Sequence, residues 1–239
     1  WTEGGFLAGL VYTDHDFADV ADVVTTNTTP GMAWDNAGAS KTAAPLSDAE
    51  FTGGAFVLQH DAVTTTRWLT LPFSAPFYRA TIVDATAHGV LVECHIDPAS
   101  MGGISVRNDA GLLIAQTGTD SKHASLIAIG ISGGAFIEHR APATVANVAR
   151  TDPEMEAGHS LRMMILPDGS CVSYYYPAAV GSPPAESDWI HLGTKDDEFT
   201  PGEMLSLRVG VYTSLISGPS TTTPWTVSNL RIATAAGIA

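Results

Sequence analysis

From Ala110 to Arg140 the chain reads AGLLIAQTGTDSKHASLIAIGISGGAFIEHR, three short apolar runs separated first by a polar gap and then by a glycine-rich one. Runs of four to eight residues bounded by turn residues read as strands, and short connections make neighbours antiparallel. AGLLIAQ and ASLIAIG are apolar on both alternations, so both of their faces are expected to be covered, as in central strands of a two-layer structure. GAFIEHR brings in charge and histidine, so one of its faces is expected to meet water or a ligand. We read this meander as the middle of the sheet system.

The same signals recur along the chain. AFVLQH (55–60), RWLTLPF (67–73), YRATIV (78–83), GVLVECHI (89–96) and GISVRN (103–108) lead into the meander. ATVANVA (143–149), the segments 160–166 and 171–176, DWIHLG (188–193), EMLSLRVGVYT (203–213) and WTVSNLRIA (225–233) follow it. Pro167-Asp168-Gly169-Ser170 is the clearest hairpin signal. Ser47-Asp48-Ala49-Glu50 has the form of a capping box, enough for one helical turn. No segment sustains a 3.6-residue period. The expectation is an all-β, two-layer antiparallel sandwich over 31–239, preceded by an N-terminal arm over 1–30.

Composition narrows the function. With 45% hydrophobic and 15% charged residues, 239 residues can bury a substantial core. A net charge of −14 argues against a nucleic-acid partner. No apolar run is long enough for a membrane helix, so no membrane insertion is expected. The chain opens at Trp1 without a basic leader, which we read as a processed, excised or incomplete chain. Cys94 shares an apolar alternation with Val90, Val92 and Ile96 and reads as a buried free thiol, a Cys94–Cys171 bridge being the alternative in an exported protein.

Four aspartates, Asp14, Asp16, Asp19 and Asp22, crowd the arm. They read first as a solvated acidic face, with a structural Ca²⁺ on Asp14, Asp16 and Asp19 as the functional alternative, although the glycine and distal glutamate of an EF-hand loop are missing. Asn27-Thr28-Thr29 is a formal glycosylation sequon. Asp152, Glu154 and Glu156 alternate but are interrupted by Pro153, so they read as a loop rather than a carboxylate pair for glycoside hydrolysis. Gly130-Ile131-Ser132-Gly133-Gly134 fits the nucleophile-elbow spacing, yet a strand follows where that motif needs a helix. Glu93 and His95 share a strand face opposite Cys94, and the eight histidines form no zinc pattern. What remains is aromatic. Tyr174, Tyr175 and Tyr176 must alternate between the two faces of one strand, while Trp189 and Trp225 stand at strand starts, where rims are built. Flat rings with polar neighbours are how sugars are held, though packing between sheets is the plainer use of such rings.

In order, Ala110-Gly111-Leu112, the charged strand end at Glu138-His139-Arg140, Leu161-Arg162, the hairpin into Tyr174–Tyr176, Trp189, and Asn229-Leu230-Arg231 resemble the laminin G-like, concanavalin A-like jelly-roll superfamily. The resemblance covers roughly residues 31–233. It implies two curved antiparallel sheets, frequent glycan binding on the concave face and rim, and a structural Ca²⁺ in some members. Relatives include lectin-like modules, glycosidases, and phage tail or capsid proteins. The expectation is a non-catalytic binding or adhesion module, not an enzyme, recognising a surface glycan within a larger assembly such as a phage tail or virion. The alternatives are a purely structural decoration protein and, behind it, a polysaccharide-degrading enzyme. Expected ligand-binding residues are Tyr174, Tyr176, Trp189, His139 and Arg140. Expected partners are a glycan or neighbouring subunits, in a homo-oligomer or particle, at an extracellular or virion location.

Overall fold

A computed structural model describes residues 10–15, 32–35, 51–52, 55–58, 77–98, 108–116, 123–131, 134–140, 147–151, 158–177, 184–215 and 225–234. The strands within them are β1 (Val11–His15), β2 (Met32–Asp35), β3 (Phe51–Thr52), β4 (Ala55–Leu58), β5 (Phe77–Val83), β6 (Val90–Pro98), β7 (Asn108–Gln116) and β8 (His123–Ile131). They continue as β9 (Gly134–Arg140), β10 (Asn147–Thr151), β11 (His159–Ile165), β12 (Cys171–Pro177), β13 (Ile190–Lys195), β14 (Ser206–Leu215) and β15 (Trp225–Thr234). Two 3₁₀ turns, Glu186–Asp188 and Glu203–Leu205, precede β13 and β14. No described helix is long and apolar enough to cross a membrane.

The strands form two antiparallel sheets. Sheet A runs β13-β12-β11-β6-β15-β4-β3, with β1 also paired to β15; sheet B runs β10-β9-β8-β7-β14-β5-β2. The meander of the opening stretch is present as β7-β8-β9, and β7 takes the middle place in sheet B. Leu112 and Ile114 face the core, while Leu113 on the opposite alternation is also fully buried. β9 departs from expectation. Glu138 and His139 are both buried, His139 on the core-facing alternation of Ile137 and Glu138 on the opposite one.

The core lies between the sheets and is built by strict alternation. Val90, Val92, Cys94 and Ile96 of β6 meet it beside Leu161, Met163 and Ile165 of β11, opposite Leu207, Val209 and Val211 of β14. The alternate residues of sheet A turn to its outer face and make a second cluster of Leu91, Met164, Val172, Tyr174 and Ala233. Leu10, Tyr12, Leu166 and Trp189 pack around that cluster, so this outer face is partly roofed. Part of the stretch expected as an arm therefore belongs to the sheet: Val11–His15 is a strand, with Tyr12 opposite Ala233. Its single apolar–polar alternation is too short to announce itself in the sequence.

The hairpin over 167–170 forms as its sequence predicts. Gly169 N–H donates to Leu166 C=O at 2.8 Å, and Asp168 Oδ1 accepts Ser170 N–H at 2.9 Å. Gly169 has φ +88°, which an L side chain resists.

The two cysteines are free and buried. Cys94 is in register with Leu161, and Leu161 with Tyr175, whereas Cys171 is in register with Ile165. Cys171 thus lies two strands from Cys94 (roughly 10 Å) and four residues further along (roughly 13 Å). A disulfide needs Cα atoms within about 7 Å. The bridge left open by the sequence does not exist in this fold.

Candidate functional site on the outer face of sheet A

Register draws one polar row straight across sheet A: His191, Tyr174, Arg162, Glu93, Arg231 and Asp14 on β13, β12, β11, β6, β15 and β1. At its centre Glu93 is 3% exposed and accepts from two guanidiniums. Arg162 Nε donates to Oε2 at 2.8 Å and Arg231 Nη1 to Oε1 at 2.8 Å. Arg162 also donates Nη2–H to Glu186 Oε2 at 3.0 Å, which ties the 184–189 segment down on the sheet. An aromatic ring caps each end of this chain of charges. Arg162 Cζ lies 4.2 Å from the Trp189 ring centre and Arg231 Cζ 4.4 Å from that of Tyr12. Burial opposes the charge on Arg162, but Glu186 and Glu93 outweigh it and hold its pKa above the usual value. Burial, and then the charge of Glu93, raise the Tyr12 phenol.

A second row lies alongside: Tyr176, Ser160, His95 and Ser228. His95 Nδ1 is 3.3 Å from Ser160 Oγ, and His95 Nε2 is 3.1 Å from Asp97 Oδ2. β15 carries a bulge here, its register slipping between Ser228 and Arg231, with Asn229 at φ +52°. The extra residue keeps Val227 and Leu230 in the core while returning Arg231 to the outer face beside Glu93. A small cavity lies between the rows, bordered by Glu93, His95, Ser160, Pro184, Trp189 and Asn229.

Of the residues expected from sequence, three gather on this face. Tyr174 and Tyr176 point outward from β12, and Tyr175 packs on the core. The Tyr174 ring meets His191 edge-on at 5.4 Å. Trp189, half-buried, closes the 3₁₀ turn above them. His139 does not join this group. It is fully buried between the sheets with Nδ1 2.8 Å from Ser173 Oγ, and burial lowers its pKa to about 4. A strand ending in charge suggested an exposed rim, but the alternation that puts Ile137 in the core puts His139 there too. Arg140 continues β9, its side chain outside the described residues, as is the side chain of Trp225. Asp14 lies in β1 opposite Arg231, while Asp16 and Asp19 fall outside the described residues, as do Ser132 and 152–156. Among the described residues no three His, Cys, Asp or Glu side chains converge as metal ligands.

Sequence reasoning passed over Arg162, His95, Asp97 and Ser160 as site residues. A signal was present: Glu93-Cys94-His95-Ile96-Asp97 places three ionisable groups on one face of an apolar strand, and Arg162 interrupts an otherwise apolar one.

No protein-family model matches the chain, and no curated protein matches it. Solved structures do. A GH43 protein from Bacillus licheniformis superposes with TM-score 0.52 at 14% identity, over 75% of this chain and 32% of its own. Lectin II from Ulex europaeus gives 0.52 at 12% identity, over 94% of this chain and 97% of the lectin. Winged bean acidic lectin, solved with methyl-α-D-galactose, gives 0.53 at 8% identity, over 94% and 98%. The chain spans about a third of the GH43 protein, at 32%, and nearly the whole of the lectins. At such identities the likeness is one of architecture. The chain has the concanavalin-like jelly-roll sandwich fold of these lectins.

Proposed function

We propose that the chain is a carbohydrate-binding module that holds a neutral glycan on the outer face of sheet A and does not cleave it. The observation that carries this reading is the gathering of Tyr174 and Tyr176, on one face of β12, with Trp189, from the turn before β13, beside a fixed polar row. Rings supply area to the apolar side of a pyranose, and the locked polar groups orient its hydroxyls. The expected ligand is neutral because both guanidiniums of the row are already held by carboxylates, and the chain carries −14. Retention of the glycosidic bond is supported by Glu93, whose two oxygens each accept from an arginine and so are unsuited to acid or nucleophile work.

On this reading the module is attached within a larger assembly, a tail or virion protein among the candidates. The GH43 protein supports this much, since the same fold makes up 32% of its length. A glycan array presenting neutral, sulfated and sialylated glycans tests the reading. Neutral ligands are expected to bind and to be lost in Trp189→Ala. A folded chain that binds nothing on the array contradicts it.

A further inference from the structure

Three polar side chains on the outer face serve neither the charge row nor the aromatic rim. Alternation puts His95 and Asp97 on one face of β6, and register puts Ser160 directly beside His95 on β11. His95 Nε2 faces Asp97 Oδ2 at 3.1 Å, and His95 Nδ1 faces Ser160 Oγ at 3.3 Å. An ionised carboxylate only accepts, so Nε2 carries the hydrogen and Nδ1 keeps its lone pair toward the serine hydroxyl. This is the arrangement of nucleophile, base and orienting acid. It depends on which nitrogen holds the proton, not on which of the two carries which label.

The surroundings are shaped to this group. A Cβ at Gly158 would collide with both Asp97 Oδ1 and His95 Nε2, so a glycine makes room for the pair. Asn229, at the bulge and in the left-handed region, borders the same cavity as Ser160 and His95. Bulges and such backbone conformations gather where a side chain must be re-aimed. The cavity is partly open and holds about 10 Å³, room for one water. Trp189 also borders it, and the Trp189 Nε1–H is buried with no acceptor among the described groups. The site therefore has a nucleophile, a base and an orienting acid beside one small space.

We propose that Ser160, His95 and Asp97 form an acyl-transfer site for small esters, acetyl-sized on the acyl side. Ser160 Oγ bonds to the ester carbonyl carbon while its proton passes to His95 Nδ1. The carbon–oxygen bond to the alcohol then breaks, and the departing oxygen takes that proton, leaving acetyl-Ser160. Water adds to the acyl carbon, giving a proton to His95; acetate leaves and Ser160 regains its hydrogen. Ser160 is only 5% exposed and the cavity beside it, partly open, has room for one water, so the acyl group must be small and sit in the cavity's open mouth. This chemistry goes beyond glycan binding and does not depend on it, since a blank glycan array leaves it untouched.

The test is to incubate the full chain with p-nitrophenyl acetate, quench in acid, map acetylated peptides by mass spectrometry, and follow p-nitrophenolate release. Acetyl on Ser160 is expected, with release falling on the order of 10²-fold in Ser160→Ala and in His95→Gln. Peptide mapping uses the unaltered chain, so it reads out whether or not a variant folds. If Ser160 acquires no acetyl group and folded Ser160→Ala releases p-nitrophenolate at the unaltered rate, the three residues are a structural hydrogen-bond chain and the inference fails.

Discussion

Arg162 and Glu93 form an ion pair at 2.8 Å with side chains only 3% and 4% exposed, at the centre of the outer face of sheet A. A charge this far from water is tolerated because each partner has further company: Glu186 for Arg162, and Arg231 for Glu93. The pair thus joins four elements, β6, β11, β15 and the turn that carries Trp189. Removing Glu93 leaves buried Arg162 with one carboxylate in place of two, that of the more exposed Glu186. Glu93→Ala is expected to lower stability by about 3–5 kcal/mol in urea unfolding. A loss under about 1 kcal/mol, the value of a surface pair, would contradict the role given to this row.

The hairpin between β11 and β12 supplies a backbone test. Gly169 has φ +88°, and a Cβ there would run into the carbonyl of Phe199, whose N–H donates to Gly169 C=O at 2.9 Å. Gly169→Ala is expected to cost at least about 1–3 kcal/mol from backbone strain, with the clash added. A Cβ added at Gly202 would meet nothing within 4 Å, and φ there is −66°, so Gly202→Ala should be close to neutral. Equal urea midpoints for the two variants would show that the turn is not held as described.

His139 makes stability depend on pH. Burial is the first cause that lowers its pKa from 6.5 to about 4, against a hydrogen bond to Gly193 that raises it. The unfolded chain therefore takes up a proton near pH 6.5 while the folded chain stays neutral until about pH 4. This contribution is full above pH 6.5 and is lost as pH falls through that window, amounting to about 3 kcal/mol. Subtracting the urea stability of His139→Gln from that of the native chain, pH by pH, should isolate a slope of that sign. A flat difference between pH 6.5 and 4 would mean the imidazole is solvated.

Both thiols lie in the core, and burial pushes each well above the ordinary thiol range. Ellman's reagent is expected to find no reactive cysteine in the folded chain and two in denaturant without reductant. A chain that yields none after unfolding would be disulfide-bonded, which the register of β6, β11 and β12 forbids.

Much of the sandwich was legible because alternation speaks directly: β6, β7 and β11 bury one set of alternate residues in the core, and the sequence carries that pattern openly. The outward and inward split of Tyr174, Tyr175 and Tyr176 follows from the same rule. β1 was not legible, since five residues, VYTDH, hold too little pattern to distinguish a strand from an arm. The exposure of His139 was misjudged for a related reason. Charge at a strand's end suggests solvent, but His139 shares the alternation of Ile137, which faces the other sheet. The row from Tyr174 through Arg162 and Glu93 to Arg231 joins residues 69 and 138 positions apart. Such a row exists only once register is set, and register is a property of paired strands rather than of any one segment.

In the proposed function a glycan rests on the outer face of sheet A. Isothermal titration of the strongest neutral array ligand against the native chain, Tyr176→Ala and Leu205→Ser tests it most directly. Leu205 is 54% exposed on the turn before β14, away from this face, and serves as the control. Tyr176→Ala is predicted to weaken binding about tenfold or more, roughly 1.4 kcal/mol, with Leu205→Ser unchanged. Native affinity in a folded Tyr176→Ala chain would contradict the account.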